Sequence, residues 1–273
     1  MFRTIFTKTL YEKRWAIISW SLALCLANLL VIQLFPPLKE AFANMLVDLP
    51  DSLKVWFGDA AIWQTITGYV GQEIYGQMAS ILVVFGVIFA STLLASEEKN
   101  GTLLTQFARP IRRWSYYLQK FLAIVAATFI VTVFYTVGAW LGTVILGDIV
   151  PFTSLIVPSL SVFLLSLAFA TLVFSVGAAV GNGAVAAIVV GFYAIVFYFI
   201  SSMSAMAKIV ETISKFSPFY WYTSFTDVTN SLSLWDVVSD GTNLWHATVL
   251  KLFIIIPVII GLIFFLKRDF KTR

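Results

Sequence analysis

The chain has 273 residues, of which 60% are hydrophobic, 16% aromatic and 12% charged. A soluble domain carries about 25% charged residues, so the composition points to an integral membrane protein with little room for a soluble domain. The formal net charge of +4 has a topological cause, given below, and is not a nucleic-acid signal. A single cysteine, Cys25, lies in an apolar run; it excludes an intrachain disulfide and reads as a small buried hydrophobe.

Taken in order, residues 1–14 place Phe2, Ile5, Phe6, Thr9 and Leu10 on one helical face and Arg3, Lys8, Lys13 and Arg14 elsewhere. That pattern predicts an interfacial helix. A first span is expected at 15–35, since a hydrocarbon core of about 30 Å takes roughly 20 helical residues. Pro36-Pro37 stops it. Residues 36–73 look too charged to span. Leu38, Phe42, Met45, Leu46 and Leu49 recur at helical spacing. Asp51 or Ser52 would cap a second short helix with Leu53, Trp56 and Phe57, and Trp63, Ile66 and Val70 continue the pattern. Two or three amphipathic helices at the far surface are expected, as a cap or a gate. Further spans are expected at 74–95, 117–146, 154–180, 184–203 and 247–266, with the third longer than needed and therefore tilted. Gly181-Asn182-Gly183 is a tight reversal, and residues 204–246 form a second outer segment. The expected fold is all-α: a single polytopic transmembrane domain of six helices.

Six spans put both termini on one side. That side holds 13 of the 18 basic residues: Arg3, Lys8, Lys13, Arg14, Lys99, Arg109, Arg112, Arg113, Lys120, Lys267, Arg268, Lys271 and Arg273. Basic loops stay in the cytoplasm, so the termini and the 96–116 segment are expected there.

The segment around Ser96–Lys120 is the most informative. Glu97, Glu98, Lys99, Arg109, Arg112, Arg113 and Lys120 lie within it, and each charge would cost about 2.5–3.5 kcal/mol at the bilayer centre. The segment therefore belongs in water. Yet Leu103, Leu104, Phe107, Ala108 and Ile111 form one face of an amphipathic helix, which Pro110 ends or bends. Such a helix between two spans asks for a soluble partner.

Several chemistries find no support. There is no phosphate-cradling G-x-x-x-x-G-K-[ST], no H-E-x-x-H, no C-x-x-C and no G-x-S-x-G. His246, the only histidine, sits beside Trp245 at the edge of the last span and reads as an interfacial anchor. The expected spans hold almost no ionisable residue, which argues against an ion-coupled carrier. Small residues recur at four-residue spacing at Gly86 and Ala90, Gly138 and Gly142, Gly177 and Gly181, and Gly183, Ala187 and Gly191. These faces allow close helix approach, most simply within the chain. The cluster Phe216, Phe219, Tyr220, Trp221, Tyr222 and Phe225 reads first as a headgroup anchor, with a ring-lined substrate exit as the sharper alternative.

The string ASEEKNGTLLTQFARPIRRWSYYLQKFLA resembles the cytoplasmic loop of membrane subunits of type-two ABC exporters. The resemblance rests on Glu97, Glu98, Gly101, Thr102, Leu103, Leu104, Pro110, Arg112, Arg113 and Lys120. The basic leading helix, the six spans and the outer stretch LVDLPDSLKVWFGD match too, although the outer segment is longer than in minimal exporters. The resemblance implies that the stretch from Glu97 to Arg113, with Phe107 on its apolar face, is a coupling helix seated in a cleft of a separate ATPase. It implies that residues 1–14, with Arg3, Phe6, Lys8 and Leu10, form a connecting helix that braces it. It further implies two ATPase subunits that hold ATP and Mg, a second permease copy or homologue, and no cofactor or catalytic residue on this chain. A prokaryotic plasma membrane is the expected location. An aromatic-rich outer surface favours a hydrophobic or amphipathic substrate such as a lipid, peptide or drug; no substrate-binding residue is identified. A stand-alone carrier or channel, an intramembrane enzyme and a membrane scaffold are the alternatives.

Overall fold

The computed structural model describes residues 4–45, 62–94, 112–204, 206–223 and 241–268. Helix α1 (Ile5–Glu12) is separated by Lys13 from α2 (Arg14–Gln33), and α3 (Phe35–Met45) follows. A short 3₁₀ turn, Ile62–Gln64, leads into α4 (Ile66–Ser91), which is followed by α5 (Arg113–Leu146), α6 (Phe152–Val180) and α7 (Gly183–Ser202). Two short helices, α8 (Lys208–Ser214) and α9 (Pro218–Thr223), precede α10 (Gly241–Lys267). Helices α2, α4, α5, α6, α7 and the Trp245–Lys267 part of α10 are long and apolar enough to cross a membrane. There is no strand among the described residues. The fold is that of an all-α polytopic membrane protein.

Helix α6 is the axis of the bundle. It packs against α10, α4, α7 and α5, while α2 lies along α5. Small residues permit these contacts. A Cβ on Gly138 would fall inside the van der Waals shell of the Cys25 carbonyl oxygen, and one on Gly142 would stand 2.9 Å from Ile32 Cβ. Between α4 and α6, a Cβ on Gly86 would stand 2.8 Å from Ser166 Oγ, whose hydroxyl donates to the Leu82 carbonyl at 2.7 Å. Polar side chains add interhelical ties: Asn28 Nδ2 donates to the Tyr135 carbonyl and Gln33 Nε2 to the Gly142 carbonyl, each at 2.9 Å. Lipid tails exert no hydrophobic pressure between helices, so close packing and such bonds carry the association. Gly138, Gly142 and Gly86 thus serve packing within the chain. Gly191 is different, because no described atom lies within 4 Å of where its Cβ would be.

Two expectations are corrected. Pro36 and Pro37 do not end the helical path. The break falls at Leu34, and both prolines sit in the first turn of α3, where backbone N–H groups have no helical partner to lose. The second correction concerns 66–73, expected as part of a surface segment. Helix α4 starts at Ile66, capped by Thr65, whose Oγ1 accepts from the Gly68 N–H at 3.2 Å. It passes through a π-helical stretch, Val70–Met78, and continues as regular α-helix from Ala79. Ile66, Tyr69, Val70, Ile74 and Tyr75 are buried. Glu73 marked the wrong boundary because one acid costs about 2.5–3.5 kcal/mol, and a buried run of apolar and aromatic neighbours can offset that. Glu73 is therefore inside a candidate span, and the spans are not free of ionisable residues.

The aromatic segment near 209–225 also differs from a simple headgroup anchor. Phe216 is exposed, but Phe219 packs against Phe169 and Tyr198, with ring centroids 4.9 and 5.5 Å away, and Tyr222 is buried. The segment plugs one end of the bundle. Phe225 and residues 46–61 lie outside the described residues.

Gly138→Ala forces the α2–α5 contact apart and is expected to destabilise by about 1–3 kcal/mol, the usual range for overpacking. Gly191→Ala meets open space and is expected to change stability little. Thermal unfolding of both variants in detergent, followed by size-exclusion chromatography, checks the contrast.

Candidate functional site at the terminal face

Both described ends of the chain converge on the start of α5. The Ile5 and Phe6 backbone N–H groups donate to Gln119 Oε1 at 2.8 and 3.3 Å. These are N–H groups of the first turn of α1, which no helix can satisfy internally. Thr4 caps the same turn, its Oγ1 accepting from the Thr7 N–H at 3.2 Å. The apolar face expected for this helix is turned inward: Ile5 and Thr9 are buried, and Phe6 and Leu10 are half-buried. Lys8 faces outward and pairs with Glu12 at 3.6 Å. The pair is exposed and contributes little to stability.

The other terminus meets α5 nearly two turns earlier, at Arg113. Arg113 Nη1 donates to the Arg268 carbonyl at 3.2 Å, and Arg268 Nη1 donates to the Ala178 carbonyl at 3.3 Å, near the end of α6. The Arg268 guanidinium fills the space beside Gly181, whose φ of +73° ends α6 in the left-handed conformation that glycine adopts without strain. Beneath these charges lies an aromatic layer. Phe265 of α10 stacks on Tyr116, with centroids 6.2 Å apart, and packs on Tyr117 at 5.5 Å. Tyr117 also lies 4.6 Å from the Phe174 ring centroid. Gly261 lets the Tyr117 hydroxyl and the Ser175 backbone approach α10 where no side chain would fit. Lys120 is buried, with Nζ 5.7 Å from the Tyr116 ring centroid, where the ring face favours a cation.

The result is a braced platform. Helix α1, the first turns of α5, the last turn of α10 and the end of α6 hold one another. From it, the chain leaves at Leu93 and Leu94, both buried, and returns at Arg112, exposed and extended, just before α5. The segment between is the charged stretch singled out in the sequence. Of the residues expected there, Glu97, Glu98, Gly101, Thr102, Leu103, Leu104, Phe107 and Pro110 lie outside the described residues, as does Arg3. Arg112, Arg113, Phe6, Lys8 and Leu10 are described, and all sit at this face. Gln119 and Arg268 were not foreseen as ties.

Comparison with protein families settles the class. The model for the ABC-2 family transporter protein matches residues 11–270. The chain belongs to that family. No individual curated protein matches it. As a member it is an ABC transporter permease, a transmembrane subunit of a kind that normally works with ATPase subunits. Among the described residues no group of three or more His, Cys, Asp or Glu side chains is placed to hold a metal ion.

The opposite end of the permease is built around the π-helical stretch of α4. Widened winding upsets the regular carbonyl partners, and π segments frequently mark functional sites. Here buried tyrosines reach into it. The Tyr135 hydroxyl donates to the Ile74 carbonyl, and the Tyr222 hydroxyl to the Tyr75 carbonyl. The Tyr75 hydroxyl shares a hydrogen bond with Ser159 Oγ at 2.9 Å, and Thr136 Oγ1 donates to the same Ser159 oxygen at 2.6 Å. The π stretch is thereby tied to α5, α6 and α9. Just outside, Lys215 and Glu211 pair at 2.9 Å. Their hydrogen bond holds the Glu211 carboxyl below its ordinary range and raises the Lys215 ammonium. His246 lies tilted against Trp221, with ring centroids 5.2 Å apart.

Gln119→Leu removes the acceptor shared by two first-turn N–H groups, at a cost of about 1 kcal/mol per bond. Hydrogen exchange at Ile5 and Phe6 is expected to speed up about tenfold, while exchange in the middle of α5 stays unchanged. Unaltered protection at Ile5 and Phe6 would show that Gln119 does not hold α1.

Proposed function

We propose that the chain is the permease subunit of an ATP-driven exporter, and that the charged segment between α4 and α5 is its coupling helix. The observation that carries the reading is the family match combined with a water-requiring amphipathic stretch that rejoins the bundle at the braced start of α5. Leu103, Leu104, Phe107 and Ile111 would form the face seated in a cleft of the ATPase. Glu97 and Glu98 would position the first turn, where acids are favoured. Helix α1 would act as the connecting helix, passing motion to α5 through Gln119. ATP and Mg would be held by the partner chains, and closure of two ATPase subunits would bias the spans between inward-open and outward-open states.

Two permeases, identical or homologous, would form the path in the lipid of a prokaryotic plasma membrane. Helix α7 supports this pairing. Its Ile188, Val189 and Phe192 are exposed, and Gly191 lies on an open face. The basic bias of the terminal face supports a cytoplasmic location for both ends. Hydrophobic or amphipathic cargo fits the aromatic lining of the opposite end.

Leu104→Asp or Phe107→Asp places a charge on the docking face and is expected to abolish co-purification with the ATPase while the permease still reaches the membrane. Normal binding and transport by both variants would overturn the docking role. Replacing Glu97 and Glu98 together by Ala is expected to lower substrate-stimulated ATP hydrolysis at least about threefold, less than one power of ten and so under about 1.4 kcal/mol. Hydrolysis at the wild-type rate would remove their positioning role.

A further inference from the structure

Glu73 is the eighth residue of a helix long and apolar enough to cross a membrane, roughly 10 Å along it from Ile66. An ionisable group at such a depth is expensive and ordinarily has a partner or a task. Glu73 is half-buried, four residues from both Tyr69 and Gln77 along the same helix, and Gln77 accepts a hydrogen bond from Tyr198 of α7. Neither phenol gives it a proton. The Tyr69 hydroxyl donates to the Val31 carbonyl at 2.8 Å, and the Tyr198 hydroxyl donates to Gln77 Oε1 at 3.3 Å. Among the described residues, no ion pair reaches its carboxylate. Among the described residues no hydrogen bond reaches the acid either, an arrangement that a positive charge would relieve.

The surroundings suit an organic cation. Gln77 is four residues on and exposed, with its side-chain oxygen toward Tyr198. The Tyr198 ring is half-buried and set edge-on to Phe219 and Phe199, with centroids 5.5 and 5.7 Å away. Aromatic faces attract cations, most strongly where water is excluded. Ile195 and Phe199 of α7 offer apolar surface beside them. The whole group lies in the π-helical half of α4 and the facing part of α7, far from the terminal platform.

We propose that Glu73, with Gln77 and the Tyr198 ring, forms a binding site for amphipathic substrates that carry a cationic amine or onium group. The site rests on the reading of the chain as a permease for amphipathic cargo and gives that cargo a charge. A carboxylate fixed at this depth selects the cation, and the rings and α7 take its apolar body.

The test uses the purified full chain in lipid nanodiscs without any ATPase, and tetraphenylphosphonium as the probe. Saturable binding is expected in the wild type. Glu73→Gln, which keeps size but loses charge, is expected to weaken it ~tenfold or more, about 1.4 kcal/mol. Gln77→Glu adds a second carboxylate that still accepts from Tyr198 and is expected to tighten binding, a gain that a misfolded protein cannot show. Tetraphenylborate, of the same shape and opposite charge, is expected to show no dependence on residue 73. Absence of saturable binding in the wild type, equal affinity in Glu73→Gln, or no gain in Gln77→Glu would each overturn the proposal. Because binding is read without an ATPase, these outcomes are independent of whether Leu104→Asp breaks co-purification.

Discussion

A bundle in hydrocarbon must satisfy its backbone internally and hold its helices together without help from water. That constraint governs this permease. Regular α-helix meets it in α2, α5 and α7, and in α6 and α10 outside the turns at Pro158 and Pro257. The π-helical stretch of α4 meets it with i→i+5 bonds of poorer geometry, and its carbonyls take additional donors. Tyr135 and Tyr222 supply hydroxyls to two of those carbonyls, Ile74 and Tyr75. The aromatic plug of α9 and the middle of α5 are therefore tied to the π stretch of α4 through these two hydroxyls. Shift those two carbonyls, and the buried hydroxyls of Tyr135 and Tyr222 lose their acceptors, a cost of about 1–3 kcal/mol for each group left unsatisfied.

The same constraint explains where small residues are spent. Gly138 brings α5 against the α2 backbone at Cys25, and Gly86 brings α4 against Ser166 of α6. Those contacts fix the α2–α5 and α4–α6 pairs. Helix α7 has fewer such contacts and keeps an apolar stripe on its outer side. A bundle whose inner pairs are tight and whose fifth span is loosely covered has a rigid part and a part free to meet something else.

Much of this was legible in the residues, and the failures have physical causes. Uninterrupted apolar runs gave α2, α5, α6, α7 and α10 within a few residues, since insertion energy sums over the run and dominates local detail. The start of α4 was missed for two reasons. Glu73 resembled a border, and π winding buries Tyr69, Ile74 and Tyr75 in a rhythm that a 3.6-residue search does not detect. Phe219 and Tyr222 were misjudged because aromatic composition is the same for a ring in the headgroups and a ring in a plug; only the partner, Phe169 or the Tyr75 carbonyl, tells them apart. Gln119 carried no signal at all. A lone amide in a helix looks solvated until another helix end places its N–H groups against it. The charged segment was legible because charge density has no other solution than water.

Helix α4 joins the two ends of the molecule. Its far half carries the π stretch and Glu73; its near half runs as regular helix from Ala79 to Ser91 and ends in buried Leu93 and Leu94, where the charged segment begins. A regular helix of that length transmits displacement along its axis with little loss, because its hydrogen bonds close on themselves. A π stretch yields more readily, because an extra residue per turn leaves poorer geometry to defend. On the proposed mechanism, motion delivered at the coupling segment would reach the far half undiminished and be absorbed there, between Tyr135 and Tyr222 on one side and Tyr198 on the other. The acid that asks for a cation sits in the stretch of backbone best placed to change shape, which is where a transporter needs affinity to differ between its two states.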